Sequence, residues 1–251
     1  MKKEKMFLSF ALFFFSLVSL EGSLVIIGHR GASGYAPENT LTSFAKALEF
    51  GVNAIELDVH LAKSGELVVM HDETLDRTTN GRGAIADKTL DEIRKYTCNG
   101  GEKVPTLNEV LDLVQRRCIV NVELKGPLTA KPVADLMKEY IKEKGWGYED
   151  FFVSSFDHHE LLAFHQLLPE VKTGALLEGI PFQYAAFAEE IGASHAVLYH
   201  QTVNKAFVED AHRRGILVFI YTVNDPLEIP FLQEIGVDGI ITNYPDRFTD
   251  L

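Results

Sequence analysis

Short apolar runs alternate along the chain with longer stretches of helical period. The runs at 24–28, 54–59, 119–124, 151–154, 173–177, 196–199, 217–221 and 239–242 are rich in Val, Ile and other strand formers. They read as eight strands. Between them, 40–50, 107–117, 130–144, 158–168, 182–191, 205–214 and 227–235 read as amphipathic helices. Strands that alternate with helices imply βα units and a parallel sheet. Eight such units in about 230 residues fit a closed (β/α)8 TIM barrel better than an open sheet.

Local signals agree with these boundaries. Thr106 to Glu109 reads as a capping box, and Thr89 to Glu92 as a second. Gly51, Gly192, Gly215 and Gly236 each follow a helical run, where a left-handed residue ends the helix at least cost. The second unit is irregular. Lys63-Ser64-Gly65 is a hairpin turn between 60–61 and 66–70, and 72–104 is an insertion with one short helix near 90–96. The insertion leaves the C-terminal end of a strand, the barrel face on which active sites are built. Residues 24–251 read as one domain with no internal repeat.

The length of 251 residues and 46% apolar content suffice for a full barrel core. The net charge of −12 argues against nonspecific nucleic-acid binding, which needs Lys and Arg to neutralise phosphates. An anionic substrate must instead be held by a local metal or by a few placed cations. Lys2, Lys3 and Lys5 precede an apolar run at 6–20, so 1–23 reads as a secretory signal. Bulky Leu20 makes a poor cleavage site, which leaves a retained N-terminal anchor as the alternative. An exported protein, touching a membrane only through that segment, is expected; a cytoplasmic one is the less favoured reading. Cys98 and Cys118 fit either a disulfide formed after export or two free thiols.

Alternation along the second strand places Glu56 and Asp58 on one face. The third strand places Asn121, Glu123 and Lys125 on one face, with Glu123 beside the first two carboxylates. Three carboxylates without a paired Cys or His favour a hard divalent cation, Mg2+ or Ca2+, over zinc. A salt-bridge cluster with Arg30 or Lys125 is the alternative. His29 ends the first strand and His71 follows the hairpin, where a pair of histidines could serve as acid and base. The competing role for each is a hydrogen bond in the barrel rim. Arg30 can present a planar fork to a phosphate or bridge Glu56 or Glu123. Gly28, Gly31 and Gly34 match no established phosphate loop and read as a tight turn at the mouth. Of the other histidines, His60 reads as turned away from Asp58, and His200 could reach the mouth.

These residues lie in segments that resemble the glycerophosphodiester phosphodiesterases. The matching segments are GHRGASGYAPENTLTSFAKALEFG, AIELDVHLAKSGELVVMHDETLDRTTNGRG, VPTLNEVL, VNVELK, VSSF, and YTVND followed by GVDGIITNYPD. They run in order from 24 to 246, and the first two are the most specific. The resemblance implies a TIM barrel with a small insertion after the second strand. It implies metal-dependent hydrolysis of glycerophosphodiesters to sn-glycerol 3-phosphate and an alcohol. It makes His29 and His71 the acid–base pair, and Glu56, Asp58 and Glu123 the ligands of one divalent cation. Arg30 and Lys125 would contact the phosphate. Tyr221, where the family often has Trp, would contact the substrate. Within the same chemistry, a lysophospholipase D or another phosphodiesterase is the alternative; an inactive binding protein is the least favoured.

Overall fold

A computed structural model of the protein describes residues 24–248. The N-terminal segment 1–23 and residues 249–251 lie outside the described residues. Nine strands form one sheet: β1 (Val25–Gly28), β2 (Ala54–Leu61), β3 (Leu67–Val69), β4 (Ile119–Leu124), β5 (Phe151–Ser155), β6 (Lys172–Leu177), β7 (His195–Tyr199), β8 (Leu217–Tyr221) and β9 (Gly239–Thr242). All but β3 run parallel, and β1 pairs with both β2 and β9, so eight strands close into a barrel. The short β3 pairs antiparallel with the far end of β2, as the hairpin turn predicts.

The helices are α1 (Leu41–Glu49), α2 (Leu90–Ile93), α3 (Leu107–Val114), α4 (Ala130–Lys144), α5 (His158–Leu167), α6 (Ala186–Glu190), α7 (Lys205–Arg213) and α8 (Ile229–Glu234). Both predicted capping boxes form, at Thr89 with Glu92 and at Thr106 with Glu109. Three helices are shorter than their periodicity suggests. The helix α3 stops at Val114 because Gln115 and Arg116 both turn left-handed. The 178–185 segment, with Gly179 and Tyr184 at positive φ and Pro181 between them, leaves only five residues for α6. Before α8, Pro226–Glu228 is a 3-10 turn. Among the described residues, no helix is long and apolar enough to cross a membrane.

Most of the apolar residues bury between the strands and the outer helices, among them Phe44, Val120, Phe164 and Phe207. A second cluster fills the barrel itself: Val25, Ile27, Ala54, Ile119, Phe152, Val197 and Phe219. The insertion has its own small core of Val68, Leu75, Ile85, Ile93 and Val104. Inward-facing positions recur every second residue, so the layers change chemistry up the barrel. Ala54 and Ile119 line the floor. Two and four residues further along come Glu56 and Asp58 on β2, and Asn121 and Glu123 on β4. Cys98 and Cys118 are free and buried in separate clusters. Burial pushes their thiols up to about 11 and about 12.

Candidate active site

The parallel register sets Glu56 opposite Asn121 and Asp58 opposite Glu123. All three carboxylates are buried, and one oxygen from each falls within 4.8 Å of the others. Glu56 Oε1 and Asp58 Oδ1 are buried with no hydrogen-bond partner. Burial and mutual repulsion raise the Glu56 carboxyl well above its usual range and push Glu123 up to about 7. An orphaned carboxylate oxygen in a dry site is costly unless a cation meets it.

Cations are present but do not balance the cluster. Lys125 Nζ donates to Glu123 Oε1 at 2.9 Å, and Arg30 Nε lies 3.6 Å from Asp58 Oδ2. Arg30 also binds Glu38 at 2.8 Å, and Arg77 binds Glu38 and Asp72, each at 2.7 Å. Five carboxylates (38, 56, 58, 72 and 123) therefore meet three cationic side chains (30, 77 and 125). With all five ionised the cluster is short of positive charge, a deficit to which Glu178 on the same cavity adds. With two buried carboxylate oxygens lacking a partner and only oxygen donors, the residues fit a hard divalent ion. The salt-bridge cluster expected as the alternative is also present, through Arg30 and Lys125, and leaves that deficit unfilled.

The loop after β1 is shaped around this cluster. Arg30 and Gly31 both take positive φ, 54° and 83°. This turn aims the Arg30 amide at Glu56 Oε2, 2.7 Å away. A Cβ on Gly31 would sit 2.5 Å from Ser43 Oγ, so the turn admits no side chain there. The glycines thus serve a tight turn, as the sequence predicts. Asn39, also left-handed, donates its side-chain amide to Asp58 Oδ2 at 2.8 Å.

His29 and His71 face one cavity of about 350 Å3, together with Arg30, Glu56, Glu123, Lys125 and Tyr221. Asp58, buried opposite Glu123, does not line it. His29 Nδ1 is 2.6 Å from Asn243 Oδ1, which also accepts from Ser33 Oγ. An amide oxygen accepts, so His29 donates from Nδ1 and leaves Nε2 free to take a proton. Burial first, then the charge of Arg30, lowers the His29 pKa to about 4. His71 Nδ1 is 2.7 Å from Asp72 Oδ1. Arg77 grips both oxygens of that carboxylate, through Nε at 2.7 Å and Nη2 at 2.9 Å. The Asp72 carboxyl lies well below its usual range, chiefly because of Arg77.

The position of His60 differs from the sequence expectation. It shares parity with Glu56 and Asp58, and its Nε2 lies 3.1 Å from the His71 carbonyl oxygen, behind the cleft. His200 pairs with Glu228 at 2.6 Å and does not line the cavity.

The glycerophosphoryl diester phosphodiesterase family profile matches residues 29–247. A glycerophosphodiester phosphodiesterase of Caldanaerobacter subterraneus subsp. tengcongensis is 36% identical over 236 residues, 90% of this chain and 97% of that one. The chain belongs to the glycerophosphoryl diester phosphodiesterase family. A solved phosphodiesterase of Oleispira antarctica, in complex with the product sn-glycerol-3-phosphate, superposes with a TM-score of 0.82 at 28% identity. That match covers 90% of this chain and 95% of the Oleispira chain. A human lysophospholipase D is 26% identical over 267 residues, 89% of this chain and 84% of the human protein.

Family membership leaves several supporting residues to be found in the geometry. Asn39, Asn243, Asp72, Arg77 and Glu38 hold the expected site residues in place and are not among the residues expected from sequence. Asp72 had a signal, its adjacency to His71. Asn243 had another: it lies two residues beyond Ile241, on the inward parity of β9. Arg77 and Glu38 come from separate loops, and periodicity does not carry across loops.

Proposed function

We propose that this family member hydrolyses glycerophosphodiesters to sn-glycerol 3-phosphate and an alcohol, with a divalent cation, Mg2+ or Ca2+, held by Glu56, Asp58 and Glu123. The observation that carries this reading is the convergence of three buried, partly orphaned carboxylates beneath two histidines that face one cavity. The Oleispira phosphodiesterase, with its bound product, supports the same reaction class. A bound cation supplies Lewis acidity that neutralises charge on the phosphoryl oxygens. Arg30 and Lys125 bind and orient the remaining oxygens. His29 presents an unprotonated Nε2 and removes the proton of the attacking oxygen. His71, whose Nδ1–H rests on Asp72, gives its Nε2 proton to the leaving alkoxide. Asp72 provides the counter-charge for a positive imidazole, and Arg77 fixes Asp72. Tyr221 forms the opposite wall, against the organic part of the substrate.

A second substrate class has its own observation. Leu128, Phe182 and Leu227 lie on three βα connections at the mouth and are 74%, 97% and 85% exposed. Such a rim suits a substrate with an acyl chain, as acted on by the lysophospholipase D relative. The proposal also includes export, on the three lysines and apolar run of 1–23. Purified protein given glycerophosphocholine should release sn-glycerol 3-phosphate with Mg2+ or Ca2+, and EDTA should stop it. No release with either cation would contradict the assignment.

A further inference from the structure

The cleft has two walls of different chemistry. The ends of β1, β2 and β4 carry the histidines, carboxylates and cations described above. The ends of β5 to β8 carry Phe156, Glu178, Tyr199 and Tyr221. Phe156 and Tyr221 meet edge to face with centroids 5.8 Å apart, and Tyr199 lies 6.0 Å from Tyr221. Glu178 follows β6 and lines the same cavity. Among the described residues it forms no ion pair. Its charge acts on Tyr221: after burial, Glu178 is the main reason that phenol stays above its usual range.

We infer that Phe156, Tyr199, Tyr221 and Glu178 form a subsite for a cationic head alcohol, one with an ammonium group close to the scissile oxygen. The inference rests on the proposed diesterase reaction and names the alcohol it prefers. Aromatic faces attract ammonium groups, quaternary ones included, and a nearby carboxylate supplies the net charge. An alkyl chain would satisfy the rings but leave the Glu178 carboxylate facing hydrocarbon. An anionic head would meet Glu178 and a chain of net charge −12. The wall already attracts a cation, since Lys125 Nζ lies 5.3 Å from the Phe156 ring centre. Lys125 approaches from the phosphate side, so the Tyr199 and Tyr221 rings remain for the substrate.

The test compares glycerophosphocholine with its uncharged isostere, the 3,3-dimethylbutyl ester, in wild type, Glu178→Gln and Glu178→Lys. Wild type should favour the choline ester in kcat/KM by about tenfold, the scale of one partly solvated cation contact. Glu178→Gln should bring that ratio close to one, and Glu178→Lys should invert it. A wild-type ratio near one, or a ratio unchanged in Glu178→Gln, would overturn the subsite. Failure of the diesterase reading is separate: neither ester would then yield glycerol 3-phosphate. In that event calorimetry with choline chloride decides the subsite. Binding about tenfold weaker in Glu178→Gln supports it; equal affinity, or no binding to wild type, overturns it.

Discussion

Addition of a divalent cation to metal-stripped protein should raise its stability, and more so at high pH. The magnitude follows from Glu123. Burial beside Asp58 raises its carboxyl from the usual 4.5 to about 7. That corresponds to about 3 kcal/mol of cost for the ionised form, at roughly 1.4 kcal/mol per pH unit. In stripped protein, Glu123 keeps a proton that the unfolded chain gives up near 4.5. Its contribution to stability is therefore full below 4.5 and is lost as pH rises through 7. A cation replaces that proton, so its benefit grows over the same window. For a chain of this size, 1 kcal/mol moves Tm by about 2–4 °C, so relief of the full cost is worth about 6–12 °C. Thermal melts in EDTA, and in millimolar Mg2+ or Ca2+, at pH 5 and pH 8 measure it. A large rise at pH 8 that shrinks at pH 5 is expected. No rise at pH 8, or an equal rise at both, would refute the cation site.

The remaining predictions concern the histidines and their supports. His29→Ala and His71→Ala should each lower kcat at least about a hundredfold, the scale of a lost general acid or base, and a near-normal rate would remove that residue from the mechanism. Arg77→Ala releases Asp72 and Glu38 together and should lower kcat about tenfold with little change in melting temperature, because Arg77 is half exposed. An unchanged kcat would show that Asp72 orients His71 unaided. His29 is kept neutral down to about 4, whereas an unfolded histidine takes its proton near 6.5, so this group costs stability as pH falls from 6.5 to 4. Urea unfolding should show a smaller loss between pH 7 and pH 4.5 in His29→Gln than in wild type, and equal losses would exclude His29 as the source.

The barrel and its buried carboxylate cluster are legible because both rest on period-two alternation. Inward parity on β2 gives Ala54, Glu56 and Asp58, and on β4 it gives Ile119, Asn121, Glu123 and Lys125. A hydrophobic floor followed by polar residues is a pattern that one strand carries by itself. The parallel register then brings Glu123 against Asp58. His60 shares the parity of Asp58, contrary to the reading that turned it away, yet its ring lies against the His71 carbonyl and outside the cleft. Helix ends were less legible, because left-handed Gln115 and Arg116 carry no glycine to mark the stop. The supports of the site were hidden for a different reason. Asn243 reaches His29 across 214 residues, and Arg77 reaches Glu38 across 39, through loops with no periodic constraint. Glu178 is one residue past the predicted strand 173–177, and its meaning depends on rings contributed by β5, β7 and β8.

The most direct measurement is sn-glycerol 3-phosphate formation from glycerophosphocholine by wild type and by an Asp58→Asn, Glu123→Gln double variant, each with saturating Mg2+ or Ca2+. The variant removes two buried charges while keeping side-chain shape, so its circular dichroism should match wild type. Release by wild type and a loss of at least about a hundredfold in the folded variant are expected. No release by wild type, or a wild-type rate in the variant, would contradict a diesterase centred on these carboxylates.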